Sequence, residues 1–327
     1  MTGRLRISAL GSEPLGELVG VWNAAAGGAF PLRERLFRQN TVDDPHFDPA
    51  GCAVARAGPD GAVAGFCLAK IARVPLGADG VLADRGWISM LAVHPRAQRR
   101  GVATELLRAA EGFLRRHGRG RIVLGGDPAH FFPGVPDGTP AVQFFTNAGY
   151  AFRGEAYDLG RGLSDYRTPH AVHGALAAHP DVEIRPLEPA ERPSLLAFFD
   201  ATFPGRWRYG VARFLERGGS IGDILGLVRG GEVLGFAHLF HPGSAWIGPS
   251  IAWAADRPGR TGGLGPMGLS AGMRGRGLGL ALLDRAAVHL AALGLDEMVV
   301  DWTILLDFYG ALGFVPIRRY RHGERRG

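Results

Sequence analysis

Arg274-Gly275-Arg276-Gly277-Leu278-Gly279 stands between a strand-like run, Gly265 to Ser270, and a helical one, Leu278 to Leu293. In the helical run Leu282, Leu283, Ala286, Leu290 and Leu293 share one face, and Gly294 suits its C-cap. A glycine-rich turn at a helix start leaves backbone N–H groups without partners, and the helix dipole adds positive character there. That combination is a pyrophosphate site. Gly277 and Gly279 let the main chain approach a phosphate with no Cβ in the way, and Arg274 and Arg276 add charge. The spacing is not Gly-x-Gly-x-x-Gly, which disfavours a dinucleotide fold. Taken alone, the turn is equally well read as a tight strand-to-helix connection.

Duplication favours the first of the two readings. Gln98-Arg99-Arg100-Gly101-Val102-Ala103 repeats the turn in the first half, and Phe144-Phe145-Thr146-Asn147-Ala148-Gly149-Tyr150 matches Phe308-Tyr309-Gly310-Ala311-Leu312-Gly313-Phe314. The two pairs are unequally spaced, which places an insertion in the first half around Asp127 to Thr139. Around these anchors the patterning predicts the same order of elements twice. In the first half, a strand (Arg4 to Leu10) precedes helical sequence (Leu15 to Gln39). A hairpin follows, Cys52 to Ala57 and Val63 to Ala72 about Gly58-Pro59-Asp60-Gly61. Next come a strand (Trp87 to Val93), a helix (Val102 to Arg116), a strand (Arg121 to Gly125), a short helix (Ala141 to Ala148) and a strand (Ala151 to Leu159). The second half begins with Val182 to Leu187 and helical Arg192 to Arg217, interrupted at Pro204-Gly205. It continues with a hairpin about Gly230-Gly231, the strand and helix of the quoted turn, Glu297 to Trp302, a short helix (Leu305 to Leu312) and a last strand (Phe314 to Arg321). The expected domains are 1–168 and 181–327. A linker of 169–180 is drawn on two prolines and weak periodicity.

The turn after a strand resembles motif A of the GNAT acetyltransferase superfamily, and the aromatic helix ending in Gly-Phe or Gly-Tyr resembles its motif B. Leu91-Ala92-Val93-His94-Pro95 before Gln98 is also similar to that family. The resemblance covers both halves and implies an α/β fold of two tandem GNAT-like domains. Each would have a mixed, mostly antiparallel sheet flanked by helices, with a splayed fourth and fifth strand. It implies an acyl-CoA, usually acetyl-CoA, held in that opening. The pyrophosphate would lie on Arg274, Gly275, Arg276, Gly277, Leu278 and Gly279, and on Gln98, Arg99, Arg100, Gly101, Val102 and Ala103 in the first half. The pantetheine arm would pair with Met267 and Leu269, and with Leu91 and Val93. Pro266 has no N–H for a ladder bond, which suits a bulge or a splayed edge.

The resemblance also implies direct attack of an amine on the thioester. An alkylamine, with a pKa near ~10.4, must lose a proton first, and a phenol near ~10 is a fitting acid for the departing thiolate. Tyr309 matches the family's acid position, whereas its counterpart is Phe145, which has no proton to give. Catalysis is therefore expected in the second half. Asp301 is the first candidate base, although it suits equally the cap of the next helix. His238 is a second candidate, with a satisfied strand histidine as the simpler reading. Trp207 is read as a packing anchor, with contact to the acceptor as the alternative. Asp127 or His130 in the insertion is a minor candidate for a first-half base. The alternative reading is a non-catalytic acyl-CoA-binding or sensor protein.

Composition excludes other classes. Hydrophobic residues are 46% and charged residues 21% of 327 residues, as in ordinary globular proteins. Lys70 is the only lysine, so no Gly-Lys-Ser/Thr phosphate loop exists. The two cysteines, Cys52 and Cys67, form no C-x-x-C, so neither a disulfide scaffold nor a metal site is expected. The net charge is +6, of which the last ten residues (five Arg, one Glu) hold +4. That short basic end lacks the motif support a nucleic-acid face needs. No signal-peptide pattern and no long apolar run is seen. The expectation is a cytoplasmic protein, monomer or homodimer, acting on a small-molecule amine, with no nucleic-acid or membrane partner.

Overall fold

A computed structural model describes residues 5–11, 14–57, 61–257 and 259–327. Arg4, and Gly58-Pro59-Asp60 of the expected hairpin turn, lie outside the described residues. In the first half the elements are β1 (Arg6–Ala9), α1 (Leu15–Ala26), α2 (Glu34–Gln39), β2 (Cys52–Ala57), β3 (Ala62–Ile71) and β4 (Arg85–Val93). They continue with α3 (Val102–Arg116), β5 (Arg121–Leu124), β6 (Val135–Pro136), α4 (Pro140–Asn147) and β7 (Ala151–Gly162). The second half holds α5 (His170–Ala177), β8 (Glu183–Pro186), α6 (Arg192–Thr202), α7 (Arg206–Glu216), β9 (Ile224–Arg229) and β10 (Glu232–Phe240). It ends with β11 (Thr261–Leu269), α8 (Leu278–Ala292), β12 (Glu297–Thr303), α9 (Leu306–Gly310) and β13 (Val315–Arg326).

The chain divides into two compact units, and neither is a continuous stretch. The first contains 1–75, 80–156 and Arg319–Gly327; the second contains Leu76–Asp79 and Tyr157–Arg318. The first unit's sheet runs β1-β2-β3-β4-β5 and is continued by the end of the chain, with Gly323 opposite Leu124 and Arg326 opposite Arg121. The second runs β8-β9-β10-β11-β12 and is continued by the end of β7, with Gly162 opposite Glu297 and Leu159 opposite Val300. Segment 169–180, which lacks clear periodicity in sequence, carries α5, a helix whose Val172 is buried.

Each unit packs one long helix on its sheet. In α3 the residues Leu106, Ala110, Phe113 and Leu114 meet Cys67, Ala69 and Ile88 of the strands. In α8 Leu282, Leu283, Ala286 and Leu290 meet Leu227, Ala237 and Leu264. Fully burying one such leucine contributes about 1.5–3 kcal/mol. Alternate residues of β9 and β10 point to the other face. There Val228 and Phe236 join Phe198, Phe199 and Val211 from α6 and α7.

Both sheets part at the fourth strand. β4 lies parallel to β5 only from Arg85 to Ile88. β11 lies parallel to β12 only from Thr261 to Leu264. A bulge marks each parting point. The β3–β4 register skips Ser89, and the β10–β11 register skips Gly265-Pro266 against His238. The splay implied by the resemblance is thus present in both units.

Candidate active site

The two glycine-rich turns have the same backbone. Gly101 (φ 79°) and Gly277 (φ 75°) are the N-caps of α3 and α8, both left-handed, a conformation that favours glycine. Glu105 N–H donates to Gly101 O and Ala281 N–H to Gly277 O, each at 3.1 Å. The amides of Val102 and Ala103, and of Leu278 and Gly279, fall in the first helical turn, where no intrahelical acceptor exists. Each turn is tied back to its strand. Gln98 Nε2 donates to Val93 O at 2.9 Å, and Arg274 Nε donates to Leu269 O at 3.0 Å. Arg274 therefore braces the turn, a role its charge alone did not suggest. Arg99 (φ 60°) occupies the left-handed position that Gly275 (φ 70°) fills in the second turn.

The strand amides follow from alternation. His94 N–H donates to Ala64 O, and Ser270 N–H to Leu234 O, each at 2.8 Å, so these groups point at the third strand of their sheet. Successive N–H groups along a strand point to opposite edges. The amides of Val93 and Leu91, and of Leu269 and Met267, hence face the side where the fifth strand has left. That row of donors, continuous with the helix N-terminus, fits an extended amide-bearing arm ending in a diphosphate. When bound, an acyl-CoA supplies an activated acyl carbon at such a site.

Beside the second opening lie the expected catalytic groups. Asp301 follows Val300, the last residue of β12 paired with β11. Its carboxylate lies so close to Gly265 that a Cβ there would stand 2.6 Å from Oδ1. Tyr309 is buried in α9, and Phe308 beside it lies 3.5 Å from the position of a Cβ on Gly279. Burial, and then the negative charge of Asp301, hold the Tyr309 hydroxyl well above the ordinary phenol range, so it keeps its proton. Phe203 and Trp207 lie against Gly268 of β11. Trp207 also stacks on Phe203, with centroids 4.7 Å apart. Its ring is thus both packed and partly exposed.

His238 is not a satisfied strand histidine. It is buried between Phe214 (4.4 Å) and Phe240 (4.2 Å), and its Nε2 has no partner. Burial pushes its pKa down to about 3, so the ring is neutral.

In the first unit the residue after the last paired one, Leu124, is Gly125, so Asp301 has no carboxylate counterpart there, and Asp127, two residues further on, joins a buried ion group. Lys70 Nζ donates to Asp127 at 2.7 Å, to Asp44 at 2.9 Å and to Ala129 O at 3.1 Å, and all three charged side chains are buried. Pairing outweighs burial and raises the Lys70 pKa. Asp127 is thereby committed to an ion triad. Phe131 stacks near Phe37 (6.0 Å), Phe132 near Trp22 (5.6 Å), and His130 O accepts from Asn40 Nδ2. Phe145 packs on Tyr150 at 5.4 Å.

Sequence reasoning missed three contributors to the second opening. Trp302 has a left-handed φ of 46° and is 36% exposed. The Arg206 guanidinium lies 5.0 Å from its ring centroid. Asp79 accepts from Arg206 N–H at 2.9 Å and so caps α7. Exposed tryptophan was the available signal.

The sequence pattern described as the Acetyltransferase (GNAT) family matches residues 21–150 and again 192–314. The chain belongs to the GNAT acetyltransferase family. Members of this GNAT family generally use acyl-CoA donors. No curated protein matches the sequence. Among solved structures, a GCN5-related glucosamine N-acetyltransferase region of a fungal multi-domain GH3 β-N-acetylglucosaminidase is similar at 26% identity and TM-score 0.87. The match covers 99% of this GNAT chain but 38% of the fungal one, so the chain spans well under half the length of that relative. A GCN5-related N-acetyltransferase from Sphaerobacter thermophilus matches at 16% identity and TM-score 0.67, covering 98% and 95% of the two chains. A tandem GNAT protein from the clavulanic acid biosynthesis pathway matches at 19% and 0.66, covering 99% and 98%. At those identities the last two speak for the tandem fold alone. Among the described residues no helix is long and apolar enough to cross a membrane.

Proposed function

We propose that this GNAT protein transfers an acetyl group from acetyl-CoA to the primary amine of an amino sugar, and that the second unit performs the transfer. One observation carries the reading. Tyr309 and Asp301 lie near each other where β11 and β12 part, whereas the first unit has Phe145 and Gly125 at the matching positions. Tyr309 Oη holds the proton that a leaving thiolate needs. Asp301 attracts the ammonium and draws its proton, directly or through water, so that a neutral amine is presented. The amides of Met267, Leu269, Leu278 and Gly279 hold and orient the donor. The named activity of the fungal region supports a hexosamine acceptor.

The test is thiol release from acetyl-CoA in the presence of glucosamine. Turnover should require the amine, and Tyr309→Phe should lower kcat about 10²-fold, the lower end for a lost general acid. Wild-type protein that binds acetyl-CoA and releases no thiol with any amine overturns the reading in favour of an acyl-CoA sensor. For the first unit, Phe145 already favours binding without transfer.

A further inference from the structure

We propose that Trp302 is the platform on which the acceptor's ring stacks, and that Asp79 is the positioning residue that sets it through Arg206. The proposal rests on the amino-sugar reading above. Trp302 directly follows Asp301, in the part of β12 where the register with β7 is broken between Val300 and Thr303, so the two side chains are not bound to strict alternation. Its backbone is held in the left-handed region, at φ 46°, which a bulky residue adopts only under strain. A strained, partly exposed tryptophan contributes little to the core. Its neighbours Ile304 (69%) and Leu305 (56%) are exposed too, which makes an apolar lip of these three residues.

The ring is not loose. The Arg206 guanidinium lies over it, a cation–π contact that orients one face. Arg206 is the first residue of α7, and its own N–H is fixed by Asp79 Oδ2. Asp79 belongs to a short strap, Leu76–Asp79, which docks on the second unit through the bond from Ala78 N–H to Pro204 O (2.9 Å). Leu76 anchors the strap by burial. The chain of contacts therefore runs from Asp79 to Arg206 to Trp302, and ends one residue from Asp301.

The chemistry of this lip selects its occupant. A pyranose presents a patch of C–H bonds to an aromatic face and hydroxyls at its rim. Arg206, a fixed cation beside the ring, repels a polyamine. A small acyclic amine gains nothing from the indole.

The experiment uses the full chain, with glucosamine as probe, and reads both binding by saturation-transfer NMR and steady-state thiol release. Trp302→Ala should raise the glucosamine Kd and KM about tenfold and leave the acetyl-CoA KM and the rate with ethanolamine within twofold. Trp302→Phe should restore most of the loss. Asp79→Asn should raise the glucosamine KM a few-fold with kcat unchanged, the split expected of positioning. An unchanged glucosamine Kd in Trp302→Ala overturns the platform, as does an equal loss for ethanolamine and glucosamine. Glucosamine binding that depends on Trp302 in a protein releasing no thiol overturns the transferase reading and leaves the platform standing. No glucosamine binding by wild-type protein overturns the platform, whatever other amine is turned over.

Discussion

The first and second units share one fold and differ most at the place where the fourth and fifth strands part. In the first, Lys70, Asp44 and Asp127 neutralise one another out of water, and Phe131 and Phe132 pack into α1 and α2. In the second, burial and then the charge of Asp301 raise the pKa of the Tyr309 hydroxyl, and Trp207 and Trp302 remain partly exposed. The same splayed backbone carries a phenol and a carboxylate in one unit, and Phe145 and Gly125 at the matching positions in the other. On the proposed reading, the glycine turn and strand amides form the donor site in both units, and the side chains beyond the parting point separate transfer from binding.

The largest expected effect concerns the buried ion group of the first unit. Lys70→Met leaves two buried carboxylates facing each other, and losing one partner of a buried ion group costs about 3–5 kcal/mol. Guanidinium denaturation at neutral pH should show that loss; a change under about 1 kcal/mol would mean the triad does not hold the insertion in place. Next comes the second unit. Tyr309→Phe should cost about 10²-fold in kcat, while Phe145→Tyr should restore nothing, because Gly125 stands where the second unit has Asp301. Measurable transfer by a Phe145→Tyr, Tyr309→Phe double variant would erase the asymmetry.

A smaller effect concerns His238. Its pKa is pushed down to about 3 in the folded chain against about 6.5 when unfolded, so the unfolded chain binds the extra proton between those values. Stability from this group is complete above about pH 6.5. It is lost as pH falls toward 3, at up to about 1.4 kcal/mol per unit. His238→Leu should flatten the acid limb of a denaturation series, and an unchanged slope would remove the histidine from that account. The mildest prediction tests the braces. Gln98→Ala should lower first-unit acyl-CoA affinity a few-fold, and Arg274→Ala that of the second, both read by calorimetry; equal, null effects would show that neither turn needs its tie.

Much of this was legible locally. The helices of α3 and α8, the glycine caps and the hairpins come from short-range patterning, which residues near in sequence enforce. The donor-site residues came through a resemblance, and the alternating amides of Leu91 and Val93, and of Met267 and Leu269, give that expectation a geometric basis. Other features depend on partners far apart. Lys70 meets Asp127 across 57 residues, and Asp79 caps a helix 127 residues away. No spacing rule reaches such pairs. Arg274 looked like free charge because its acceptor is a main-chain carbonyl, which every residue carries. Helix α5 was hidden because its eight residues bury little beyond Val172.

The crossing of chain ends between the units bears on how the protein is made. Gly323–Arg326 lie beside β5, which was synthesised some two hundred residues earlier. During translation the first unit therefore waits with an uncovered sheet edge until residue 326 has left the ribosome. Such an edge invites pairing with other nascent chains. A gene cut between the halves would yield two fragments, each lacking a strand that only the other encodes.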